Sequence, residues 1–111
     1  MNFTSQIARH LREVYFGGNW TSVDLKEVLK DVTWQQATTK IYSLNTIAAL
    51  VYHINYFVSA VSKVLQGGQL TASDKYSFDL PPIRSNEDWE KLLTKTWDDA
   101  ETFAVLIELL P

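Results

Sequence analysis

Residues 44–66 read LNTIAALVYHINYFVSAVSKVLQ, a run of twenty-three residues without glycine or proline. At 100° per residue, Asn45, Asn55, Ser59, Ser62, Lys63 and Gln66 gather on about a third of the helical wheel. Leu50, Val51, Ile54, Phe57, Val58, Val61, Val64 and Leu65 fill a much wider arc. That periodicity predicts a long helix, capped by Ser43 or Asn45 and closed by Gly67-Gly68. A helix apolar over so much of its surface needs several partners. The reading therefore places it at the centre of an all-α bundle.

Upstream, Phe3, Ile7, Leu11 and Val14 recur at helical spacing and predict a first helix over Phe3–Phe16, stopped by Gly17-Gly18. A connecting region follows to Tyr42. Thr21 or Ser22 can cap a short helix through Val23, Leu25, Val28 and Leu29, and Thr33-Trp34-Gln35-Gln36 has the form of a capping box. Downstream, residues 67–85 lack strong periodicity. Hairpins between helices usually need only about 2–8 linking residues, so this connector predicts a crossover joining two parallel helices. Its Tyr76, Phe78, Leu80 and Ile83 predict that it packs down on the bundle. Ser85, with Asp88 three residues on, opens a third long helix with a stripe of Trp89, Leu92, Leu93, Trp97, Ala100, Phe103, Ala104 and Ile107. Three long helices can close as a three-helix bundle. The wide apolar arc and the hydrophobic final stretch point instead to one further helix.

The chain has 111 residues and fits a single domain, 1–111. Net charge is −3, and Lys and Arg form no cluster. Neither the basic stripe of a nucleic-acid binder nor a polybasic membrane patch is present. With no cysteine, disulfides and thiolate ligands are excluded. No signal peptide is evident. The apolar stretch 47–61 contains His53 and Asn55 and is too short and polar for a membrane span. The expected location is a bacterial-type cytoplasm.

The stretch from Ser43 to Phe57, with His53 in an "LxxHI"-like apolar setting, resembles the second helix of the DinB-like superfamily. Further matching segments are Gly17-Gly18-Asn19-Trp20-Thr21, Val32 to Ala37, Lys75 to Asp79, Pro81-Pro82-Ile83 and Glu87-Asp88-Trp89. The resemblance spans nearly the whole chain. It implies an up-down-down-up four-helix bundle holding a divalent metal, often nickel or zinc, on three histidines. One of these maps to His53. The other two form an HxxxH-type pair on a fourth helix. This sequence departs from the pattern: its histidines are His10 and His53 only, and the domain is expected to be incomplete at its C-terminal end. The intact family form implies thiol-transferase or hydrolase-type chemistry on a thiol or small-molecule substrate.

Read from the residues, His53 is either a satisfied core histidine or a metal ligand. His10 reads as a boundary residue of the first helix. Tyr52, Asn55 and Tyr56 flank His53 and read as packing residues able to orient a ligand. Asp98, Asp99 and Glu101 read as a solvated acidic face. Trp20, Trp34, Trp89 and Trp97 read as core and loop anchors. No Glu-x-x-His pair supports a di-iron site. The competing expectation is a helical interaction module in which two chains form a dimer, each covering the other's open apolar face.

Overall fold

The computed structural model describes residues 2–18 and 24–111, which fold as helices with no strand among them. Helix α1, Phe3–Phe16, starts where the Asn2 side chain accepts the Ser5 N–H at 2.8 Å. It stops at Gly17, whose φ of 109° is open to glycine and costly for other residues. Helix α2, Leu25–Leu29, is capped by Asp24, while the expected caps Thr21 and Ser22 lie outside the described residues, as do Val23 and Trp20. Helix α3, Trp34–Ala37, carries the predicted capping box with both of its hydrogen bonds formed.

Helix α4, Ile47–Leu65, begins three residues later than the pattern predicts. Ser43 and Asn45 do not cap it, because the chain is still turning through Tyr42 at φ 54°. Thr46 caps instead, accepting the Ala49 N–H at 3.1 Å. A 3-10 turn spans Asp74–Tyr76. Helix α5, Asn86–Glu108, opens on the predicted Ser85 cap, and Asp88 reaches back to the Arg84 N–H at 3.0 Å.

The central helix is α5, not α4. Helices α1 and α4 both pack along it, and far less against one another. Ala8 of α1 meets Ala104 and Ile107. The Thr4 hydroxyl approaches the Leu110 carbonyl at 3.4 Å, and Tyr15 stands edge-on to Trp97 with ring centroids 6.3 Å apart. These pairs run α1 antiparallel to α5. Ala48 and Val51 of α4 share a core with Trp89, Leu92 and Leu93, and Leu65 joins Ala104 and Ile107 further on. That order runs α4 parallel to α5.

The reason α4 is not central is its choice of inner face. Ala48, Asn55 and Ser62, spaced by seven, are buried together with Val51 and Ala60. Most of these are small, and the buried residues of α5 include Thr96, Ala100 and Ala104, also small. Small side chains on both helices allow close approach, so two members of the wheel's polar arc turn inward. Of the bulky apolar arc, Val51 is buried and Leu65 packs on the smaller core, while Leu50, Ile54, Val61 and Val64 stay on the outside.

Arg12 of α1 bridges Glu101 at 3.0 Å and Glu108 at 2.8 Å on α5. Both carboxylates raise the pKa of the guanidinium, and the bond to Arg12 holds Glu108 below its ordinary carboxylate value. Burial against Trp97 pushes the Tyr15 phenol up.

The 67–85 connector does pack down. The Ser73 N–H donates to the Tyr56 hydroxyl at 3.0 Å, Ser77 is fully buried, and Leu80 and Ile83 join the larger core. The whole of α4, 19 residues of mean hydropathy 1.3, is long and apolar enough by length and composition to cross a membrane, with 28% of it buried in the protein.

Trp89 anchors the start of α5. It is 1% exposed, and its indole N–H donates to the Val32 carbonyl at 3.0 Å, fastening the short-helix region to the core. Trp89→Phe removes that donor and leaves a void. It is expected to cost about 2–3 kcal/mol in urea unfolding. An unchanged unfolding midpoint would show that Val32 is held by other contacts.

Candidate functional site

His53 lies on α4 beside the returning connector, and neighbouring rings fix its imidazole. Phe78 stacks on it at 4.2 Å between centroids, with planes 6° apart. Phe57, one helical turn on, meets it edge-first at 5.3 Å and 83°. Its Nδ1 is buried and has no hydrogen-bond partner. A neutral imidazole carries one donor nitrogen and one acceptor nitrogen. An acceptor buried without a donor costs about 1–3 kcal/mol. The ring is thus held in place with one nitrogen unpartnered, a position open to a hydrogen-bond partner or a metal.

Among the described residues His53 is not part of a cluster of ligand side chains. His10 sits on α1, exposed, with its Nδ1 3.8 Å from the Glu13 carboxylate. Among the described residues no three His, Asp or Glu side chains group as a metal site. His53 therefore fits a divalent metal as one donor. The described residues do not fit a three-histidine centre.

The residues flanking His53 divide. Tyr56 is engaged by the connector through Ser73. Asn55 is 4% exposed, and its Nδ2 donates to Asp99 Oδ2 at 3.1 Å. Asp99 also receives the Lys95 ammonium at 2.6 Å. The acidic run is thus not a uniform solvated face: Asp99 ties α5 to α4, and Glu101 ties it to α1. Sequence reasoning missed the Asn55–Asp99 link because the partners lie 44 residues apart. Only the Lys95–Asp99 spacing of four was a visible signal.

A second feature was also missed. Ile47, Leu50, Ile54, Phe57, Val61 and Val64 alternate spacings of three and four along α4. Apart from half-buried Phe57, each is 38–46% exposed. This spacing matches the a/d pattern of a coiled coil, with β-branched residues at every a position. His53 and Phe78 border it on the connector side.

Comparison with family models, curated proteins and solved structures finds no match to this chain.

If Nδ1 has no partner, His53→Phe deletes an unpaired polar atom and keeps a ring between Phe57 and Phe78. Stability by urea unfolding is expected to hold or to rise by up to about 1 kcal/mol. A loss larger than that would reveal a hydrogen-bond partner for the imidazole.

Proposed function

We propose that this chain is a helical interaction module that forms a dimer, pairing the α4 seam with that of a second copy. The observation that carries this reading is the exposed 3-4-3-4-3 row from Ile47 to Val64. Ile47, Ile54 and Val61 at a, with Leu50 among the d residues, are the choices that favour two parallel strands. The row offers on the order of 400 Å² of apolar surface. A standard interface buries about 800 Å² per partner, a little over half of it apolar. The seam thus matches the apolar share, with the polar rim left to neighbouring residues. Lys63 is the one charged residue of α4, so two copies meet with little like-charge repulsion. The apolar surface is a stripe and not a full girdle, since Tyr52, Tyr56, Ser59 and Lys63 occupy other faces. That favours a helix over lipid as its cover.

A second reading is favoured by the unpartnered Nδ1 of His53. In it the chain is the up-down-down portion of a DinB-like up-down-down-up bundle, and a further helix covers the same seam. The α1–α5 and α4–α5 directions support that topology. His53 would then be the one ligand these residues supply to a nickel or zinc ion. Thiol-transfer or hydrolytic chemistry would belong to the completed centre, and no step of it is derived from this chain alone.

Light scattering from about 10 µM to 1 mM tests the first reading. A dimer is expected, and Ile54→Glu should return it to a monomer with unchanged helicity, because Ile54 is 44% exposed in the single chain. A wild-type chain that stays monomeric at 1 mM would overturn self-association.

Calorimetric titration with nickel tests the second. Uptake is expected to be weak in this chain and lost in His53→Ala. Identical traces for the two proteins would remove His53 as a ligand.

A further inference from the structure

The connector holds one large ring outward beside the open row of α4. Ser77 is fully buried, its hydroxyl donating to the Asp74 carbonyl at 2.8 Å, and Leu80 packs on the larger core. Phe78 lies between these anchors and is nevertheless 40% exposed. Its ring is stacked on His53, which in turn meets Phe57 of the row. Phe78 thus extends the apolar row sideways onto the connector. A ring fixed before binding loses little entropy when it is covered, and aromatic side chains are the common anchors of interfaces.

The other flank of the row offers a complement. With Ile47, Ile54 and Val61 at a, His53 and Ala60 fall at g, and Val51, Val58 and Leu65 at e. Val51 belongs to the larger core and Leu65 packs on the smaller one. Val58, one heptad from each, is half-buried and among the described residues belongs to neither core. In a parallel pair each g residue faces an e residue of the partner's next heptad. The residue that His53 faces is therefore the partner's Val58. Charged e and g residues ordinarily set partner and orientation. None of these five positions carries Asp, Glu, Lys or Arg, so that task falls to an apolar contact.

Taking the dimer reading above as its basis, we infer that Phe78 is the anchor of that dimer. It seats on the partner's Val58, between the partner's two cores, and the contact repeats by symmetry on the opposite flank. A second copy fits by area. The exposed part of Phe78 adds roughly 80 Å² per copy. With the row this reaches roughly 480 Å², the apolar share of a standard interface of about 800 Å² per partner.

Sedimentation of the full chain from about 10 µM to 1 mM tests the anchor. Phe78→Ala is expected to weaken the dimer about a hundredfold, because the change falls in both copies. Leu109→Ala, at a residue 75% exposed just past the end of α5, should leave it unchanged. In the monomeric Ile54→Glu background, Phe78→Ala should keep its helicity, which separates loss of contact from loss of fold. A wild-type dimer whose affinity a folded Phe78→Ala leaves unaltered overturns the anchor and spares the dimer reading. A wild-type monomer at about 1 mM overturns both. Cross-linking decides independently, and the chain has no cysteine to confuse it. An equal mixture of Phe78→Cys and Val58→Cys at about 1 mM is expected to give mixed dimers with a short bismaleimide. Phe78→Cys joined only to itself would make the helices antiparallel and overturn the contact.

Discussion

The hydrogen bond from Asn55 to Asp99 fixes the rotation of α4 about its own axis, and much of the molecule follows from that angle. With Asn55 turned to α5, Ala48 and Ser62, one heptad away on either side, turn there as well. Ile47, Ile54 and Val61 precede these three by one residue each. They therefore point about 100° away, clear of the contact. His53 falls further round, against Phe78 of the connector. This amide–carboxylate bond, reinforced at Asp99 by Lys95, acts together with the packing of Ala48, Val51 and Leu65 to hold the inner face, and the open seam and the imidazole follow from it.

That arrangement trades side-chain bulk for closeness. Along the middle of both helices the buried residues are mostly small, Ala60 and Ser62 on α4 and Thr96, Ala100 and Ala104 on α5. Thr96 satisfies its hydroxyl within its own helix, on the Leu92 carbonyl at 2.7 Å. The bulk is placed at one end, where Trp89, Leu92, Leu93 and Val51 form the larger core with the short helices and the connector. A smaller core of Ala8, Ala104 and Ile107 closes the other end. The large aliphatic residues of α4 divide: Val51 and Leu65 pack into these cores, while Ile47, Leu50, Ile54, Val61 and Val64 stay 38–46% exposed.

Much of this was legible in the sequence. The bounds of α1, the Ser85 start of α5, the Thr33 capping box and the packed connector all rest on local signals: glycine stops, caps and helical spacing. The rotation of α4 was not legible. A helical wheel sorts residues by polarity, and on that basis Asn55 and Ser62 belong outside. The partner that reverses the assignment, Asp99, lies on another helix and reads as part of an acidic surface run. The central role given to α4 failed for the same reason: breadth of apolar surface measures how much cover a helix needs, and within these residues that cover is not supplied. His53 was identifiable as a candidate from its apolar setting. Its clamping by Phe78 was not, because that contact depends on where an aperiodic connector returns.

The seam and His53 also constrain one another. Any helix laid on the row from Ile47 to Val64 passes beside the imidazole, since His53 adjoins Ile54 in sequence and borders the seam in space. A second copy in parallel register brings its own His53 along the opposite flank of the pair, because equivalent positions in a two-stranded parallel coil face outward on alternate sides. Such a dimer buries the seam yet assembles no shared histidine pair. A different helix with ligands of its own at the right turn would both cover the seam and give the Nδ1 lone pair a metal to share. The same apolar row thus serves either reading, and the identity of the covering helix decides whether His53 is a packed ring or a ligand.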